Sequence, residues 1–176
     1  RCTPSSSEAS RGPQPVPRDR DLPLSYAQQR LWFLAQLQPE SRAFHVQFAL
    51  RLRGALDRGA LEQSLNWLVA RHETLRTSYE AQAGEPRQRV HAAARCRLAV
   101  DEAPRASAGE ALDAGRLELG VVPLLRARLS RLADHDHILA LAVHHIAVDG
   151  WSLAILVDEL ARTYAALATG REPELE

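Results

Sequence analysis

The sequence contains no methionine, only two cysteines and no long uninterrupted apolar run. Each scarcity removes a class of protein. Cys2 and Cys96 stand far apart with no CxxC or Cys/His spacing around them, so neither a disulfide framework nor a zinc site is indicated. Reduced thiols in a cytoplasmic protein are the expectation. No stretch approaches the ~18 consecutive apolar residues of a membrane-spanning helix, and Arg1-Cys2-Thr3-Pro4-Ser5 does not open a basic segment with an apolar core behind it. Neither a membrane span nor a secretory signal is expected. An excess of one charge is missing as well: 22 Lys and Arg balance 22 Asp and Glu. That balance removes the broad electrostatic footprint of a binder of nucleic acid or anionic membrane. What remains, 45% hydrophobic and 25% charged residues in 176, is the composition of one folded globular domain. The lack of methionine, the start at Arg1 and the end at Glu176 directly behind a helical pattern lead to the expectation of a piece from a longer polypeptide.

Residues 1–21 are rich in Ser, Pro and Arg, with Pro13, Pro15 and Pro17 at alternate positions. Such a stretch buries no core and reads as an extended interdomain linker. Residues 22–176 read as the folded part. Ser25 followed by Gln28 is a capping-box signal for a helix carrying Ala27, Leu31 and Leu34 on one face and ending before Pro39. Trp32, Phe33 and Trp67 are expected to pack in the core. From Phe44 the period becomes two, with Val46, Phe48, Leu50 and Leu52 on one side, which predicts a half-covered strand ending at Gly54. Asp57 can cap a helix whose stripe is Leu61, Leu65, Leu68 and Val69, ending near His72. Arg71 reads there as a solvated residue at the negative end of the helix dipole.

Short strands are predicted at 75–80, 88–91 and 97–100, and a helix from Ser107, with Glu110 as its capping partner, to about Leu117. Leu125, Ala127 and Leu129 alternate as a strand. After Asp134-His135-Asp136, the nearly continuous apolar run 138–144 predicts a central strand buried on both faces. A final helix is predicted over about 152–168 with Leu153, Leu156, Val157, Leu160 and Tyr164 inward, followed by Gly170. Strands alternating with helices, several joined by hairpin-like turns, predict an α/β sandwich lobe.

The chemistry gathers at the end of the buried strand, in His144-His145-Ile146-Ala147-Val148-Asp149-Gly150-Trp151-Ser152. Strand ends in α/β sheets face ligand crevices. Adjacent residues point to opposite faces, so one histidine should face the cleft and the other pack inward. An imidazole titrates close to working pH and suits proton transfer. Asp149 can orient an imidazole or pair with an arginine that fixes the loop. Gly150 permits a backbone conformation closed to other residues or the close approach of a substrate, and Trp151 can anchor the loop by burying its ring. His135 and His137 together with His144, His145 and Asp149 offer metal-type ligands, but solvated polar residues of a hairpin turn explain the first pair equally well.

This segment matches the HHxxxDG signature of condensation domains, including the aromatic residue and serine that follow. Two further motifs of that family stand in the expected order. The run from Ser25 to Leu34, SYAQQRLWFL, resembles S-x-A-Q-x-R-L-W-x-L, and the run from Arg71 to Tyr79, RHETLRTSY, resembles R-H-E-x-L-R-T-x-F with Tyr79 in place of phenylalanine. The likeness runs from about Leu22 to Gly170. It identifies the chain as the N-terminal lobe of a condensation domain of nonribosomal peptide synthetases, an α/β two-layer sandwich of chloramphenicol-acetyltransferase-like type with helices packed on a mixed sheet.

The resemblance implies amide formation, in which an acceptor α-amine attacks a donor thioester carbonyl. Both groups would ride on phosphopantetheine arms of partner carrier domains, with no cofactor or metal held by the domain itself. It implies that His145 is reactive, as base or as the group that positions the amine, and that Gly150 and its amide lie beside the thioester. His144 is implied to pack behind the site, and Asp149 to be structural, paired with Arg76. Expected partners are donor and acceptor peptidyl carrier domains, the absent C-terminal lobe and an adjacent adenylation domain, with no nucleic acid and no membrane. Two alternatives remain: a related acyltransferase with an acyl-CoA or fatty-acyl donor, and a non-catalytic domain that recruits partners. The intact histidine pair speaks against the last, and against relatives with D-x-x-x-x-D in place of the histidines.

Overall fold

A computed structural model describes residues 15–101 and 113–175. Its centre is the strand β7, Asp136–His144, which lies between β2 (His45–Arg53) and β6 (Leu125–Ala133) in a four-stranded sheet completed by β5 (Leu98–Asp101). The order is β2-β7-β6-β5; β2/β7 and β6/β7 are antiparallel and β5/β6 is parallel, so the sheet is mixed. With neighbours along both edges and layers on both faces, β7 is buried from Leu139 through His144. Leu139, Leu141 and Val143 point to the helical layer, while Ala140 and Ala142 lie against Ala114 and Leu117 on the other face. The small alanines allow that connecting segment to approach the sheet closely.

Two helices form the second layer. In α2 (Arg58–Arg71) the predicted stripe of Leu61, Leu65, Leu68 and Val69 is buried against the sheet. Each such side chain contributes about 1.5–3 kcal/mol when fully buried. The Asp57 side chain caps the helix by accepting the Ala60 N–H at 2.9 Å. The final helix, α3 (Gly150–Leu167), adds Leu156 and Leu160 to the same core. It starts two residues earlier than predicted, because Asp149 rather than a later residue caps it.

A smaller sheet, β1-β4-β3, is built from Leu22–Pro23 (β1), Thr77–Gln82 (β3) and Glu85–Val90 (β4). Leu75 and Arg76, predicted to open a strand, belong instead to a 3₁₀ turn, Glu73–Arg76. The first helix, α1 (Tyr26–Leu37), has the predicted capping box in full: Ser25 Oγ accepts the Gln28 N–H at 3.3 Å, and Gln28 Oε1 accepts the Ser25 N–H at 2.8 Å. Its inner face is Leu31, Trp32 and Ala35, packed on Leu24, Tyr79, Leu119, Leu124 and Ile146. Phe33 is 57% exposed, contrary to the core position expected of it. At 100° per residue Tyr26, Phe33 and Leu37 fall on one stripe opposite Leu31 and Ala35, and all three face outward.

The start of the helix predicted from Ser107, and most of the linker predicted for residues 1–21, lie outside the described residues. Residues 113–118 are not helical. Gly115 has φ +99, a conformation that breaks a helical path, and its N–H is accepted by Asp113 Oδ1 at 2.8 Å in a local turn. Residues 15–21 lie along the folded body, held where Arg18 meets Glu73 at 2.8 Å and Arg89 bonds both oxygens of Asp21 at 2.6 and 2.9 Å. Among the described residues no helix is long and apolar enough to cross a membrane.

Candidate active site

The site is set by how β7 ends. His145 N–H donates to Phe44 O at 2.8 Å, carrying the pairing with the β2 side one residue past the strand, and Ala147 N–H donates to His144 O at 2.9 Å to close a turn. Ile146 and Val148 pin that turn from two sides. Ile146 enters the cluster beneath α1, and Val148 enters the core beneath α2 and α3. The alternation predicted for the two histidines follows: His144 is 3% exposed, and His145 is exposed to solvent.

His144 Nδ1 accepts the Ile146 N–H at 3.1 Å, so that ring nitrogen carries no proton. Burial, and then the neighbouring His45 and His145, push its pKa down to about 4. The ring is therefore neutral near pH 7. Because the folded value lies below the ordinary 6.5, the stability that goes with the neutral ring is complete above that pH and is lost as pH falls toward about 4.

Asp149 lies in extended backbone, and its Oδ1 accepts both the Ser152 N–H at 2.8 Å and the Ser152 hydroxyl at 2.6 Å. These two bonds hold its carboxyl below the usual carboxylate range. The implied pair with Arg76 is not formed. Arg76 donates to the His91 carbonyl and stands 3.6 Å from Glu73, while its Nε is buried without a partner among the described residues. An aspartate directly before a helix that has serine at its third position is captured locally, since both groups sit in the first turn. Asp149→Ala is accordingly expected to show the modest cost of losing an exposed helix cap, well short of the roughly 3–5 kcal/mol of a broken buried ion pair. Chemical denaturation of the two proteins separates these outcomes.

Gly150 is the first residue of α3 and is not in the left-handed region; a Cβ built on it would meet nothing within 4 Å. Neither backbone strain nor packing among the described residues demands glycine there, and among them the space beside it is open. Trp151 is 83% exposed and does not anchor the loop as expected. As the second residue of α3 it lies on the helix face turned away from Leu156 and Leu160. His135 occupies the β6–β7 turn at φ 60 and His137 lies near the start of β7. Seven steps along the strand, about 24 Å, separate His137 from His144. Among the described residues no three His, Cys, Asp or Glu side chains are grouped as metal ligands.

One buried polar cluster was not legible in the motifs of the sequence. Glu159 on α3 is buried and bonds both residues at the C-terminal end of α2, Arg71 at 3.1 Å and His72 at 2.5 Å. The Arg71 guanidinium also lies over the Trp67 ring, 5.4 Å from its centroid. Arg71 is thus a bridging residue and not a solvated helix end. The available signal was Glu159 itself, a carboxylate beside the apolar Leu156 and Leu160 on the buried helix face, where an unpaired charge would be too costly.

A mixed α/β lobe with a buried and an exposed histidine at the end of its central strand defines the class. The condensation-domain family model matches residues 18–176, and the chain belongs to that family. It is similar to one of the linear gramicidin synthase proteins of Brevibacillus parabrevis, 40% identical over 98% of this chain and 2% of that protein. It is also similar to CymA of Salinispora arenicola (strain CNS-205), a probable non-canonical nonribosomal peptide synthetase, 43% identical over 91% of this chain and 2% of that protein. The chain therefore spans only a few per cent of these curated relatives. Among solved structures, the X-domain of teicoplanin biosynthesis in complex with OxyB superposes with a TM-score of 0.81 at 37% identity, covering 92% of this chain and 36% of that one.

Proposed function

We propose that this chain supplies one wall of an active site that forms amide bonds between carrier-bound thioesters in nonribosomal peptide synthesis. The observation that carries the reading is the exposed His145 held at the end of the central strand by a turn whose other histidine is buried and neutral. The acceptor amine attacks the donor thioester carbonyl; a C–N bond forms, the C–S bond breaks, and the donor's phosphopantetheine leaves as a thiol. His145 accepts an N–H of the attacking amine, a position from which it can also take the proton released as the C–N bond forms and return it to the departing sulfur. The open space beside Gly150 leaves room for the thioester. Asp149 supports the site by starting α3 at this point, and Arg76 by tying the turn before β3 to the end of β4.

Donor and acceptor carrier domains present the substrates in this reading, and the domain itself holds no cofactor. A second lobe provides the opposite wall. The outward Tyr26, Phe33, Leu37, Trp151 and Ile155 are apolar surface available for neighbouring domains. Residues 1–176 alone are accordingly expected to give no turnover.

The test supplies the complete condensation domain with donor and acceptor aminoacyl groups on carrier domains and follows the dipeptidyl thioester by mass spectrometry. Turnover only with carrier-bound donor supports the reading, whereas equal turnover with an acyl-CoA donor replaces it with the related acyltransferase. A second reading, a domain that recruits a protein partner, is favoured by one observation, the likeness to an X-domain solved in complex with OxyB. Carrier binding without any amide product would favour it.

A further inference from the structure

His45 opens β2 directly opposite His144 in the β2/β7 register. The two rings meet edge to face, with centroids 5.6 Å apart and planes at 67°. The Nδ1 of His45 is buried with no partner among the described residues. That nitrogen gains nothing locally from being there, so the ring is present for what it packs against. Behind the pair lies a cavity of about 430 Å³ whose lining includes Tyr79, Arg116, Glu118 and both histidines. Without the His45 ring, His144 would lose its edge-to-face neighbour and meet more of this cavity.

We propose that His45 is a positioning residue for the site: its ring seats His144 in the orientation whose Nδ1 accepts the Ile146 N–H, and thereby sets the turn that presents His145. The proposal rests on His145 being the reactive group, but its principal readout needs no turnover. His144 joins the β2 ring to this turn through a bond that a change of protonation would break. A proton on Nδ1 removes the acceptor, and the Ile146 amide is then left buried and unpaired.

The charged surroundings act in the same direction. Burial and then Arg42 and Arg116 lower the His45 pKa, and His45 and His145 together disfavour a proton on His144. Arg116 is paired with Glu40 at 2.8 Å, Glu118 is exposed at the cavity mouth, and the buried Tyr79 hydroxyl is engaged by Gln28. Both rings are therefore held toward the neutral form.

The test uses the complete condensation domain with ¹⁵N-labelled histidine and two variants. His45→Phe keeps a ring in place and loses the nitrogens; His45→Gln keeps a polar side chain and loses the ring. In the parent and in His45→Phe, His144 is expected to give the signal of an Nε2–H tautomer, with kcat within about twofold of each other. In His45→Gln the His144 signal becomes a mixture of tautomers, its titration midpoint rises by about one pH unit and the acid limb of kcat moves with it. kcat at neutral pH falls about tenfold while the KM for either carrier is unchanged. An unchanged His144 tautomer and titration in folded His45→Gln overturns the proposal, as does a His45→Phe protein as impaired as His45→Gln. If His145→Ala retains activity while the His144 spectrum responds to His45 as stated, the assignment of His145 has failed and the ring contact stands.

Discussion

Replacing His145 by alanine in the complete condensation domain is expected to lower amide formation by a factor on the order of 10² to 10⁴, the usual worth of a well-placed general base. The fold should be unaffected, because the side chain is exposed and the residue is held by its main chain, whose N–H bonds the Phe44 carbonyl. Surface substitutions of that kind change stability by about 0.5 kcal/mol or less. The control is His144→Ala. That ring is 3% exposed and accepts the Ile146 N–H, so its loss should lower the melting temperature as well as the rate. Rate loss with an unchanged melting temperature at position 145, and loss of both at 144, distinguishes a group that touches substrate from one that builds the turn. Near-normal product from folded His145→Ala protein would sink the assignment.

The second large effect is on stability. Glu159→Ala removes the common partner of Arg71 and His72 and leaves two basic groups facing a vacated, largely buried site. A fully buried pair broken in this way costs about 3–5 kcal/mol. Arg71 and His72 keep partial access to water, which reduces the expected cost to about 2–3 kcal/mol, or about 4–12 °C in melting temperature for a domain of this size. Urea unfolding of the single variants and of Arg71→Met/Glu159→Leu measures the coupling between the partners. The double variant should recover much of the loss, since an apolar pair of similar volume avoids desolvating the charges. Equal destabilisation by the double variant and by Glu159→Ala would show that packing around Glu159, and not its charge, joins α2 to α3.

How far the fold could be read beforehand varied with the range of the signal. The α1 capping box, the Asp57 cap and the α2 stripe each involve residues within a few positions of one another, and each is present as predicted. The apolar run ending at His144 is likewise the central strand, and alternation alone separated a buried from an exposed histidine. The outward faces of Phe33 and Trp151 were not legible. A helix with aromatic residues on two sides does not state which side its neighbour covers, and α1 is covered only along Leu31, Trp32 and Ala35. The non-helical course of residues 113–118 was not legible either, because a capping-box pattern says nothing about how far a helix extends.

The sequence by itself determined most of the helices and strands, the α/β lobe and the segment that holds the candidate site, because periodicity, capping residues and ordered motifs are properties of short stretches of chain. Only the tertiary structure decided the partners of the charged and aromatic groups. Asp149 is held by Ser152 within its own first helical turn while Arg76 bonds the His91 carbonyl, and Arg71 meets a carboxylate on a helix 88 positions distant. Electrostatic pairing depends on separation in space, and that separation exists only after α2 and α3 have packed on the same face of the sheet.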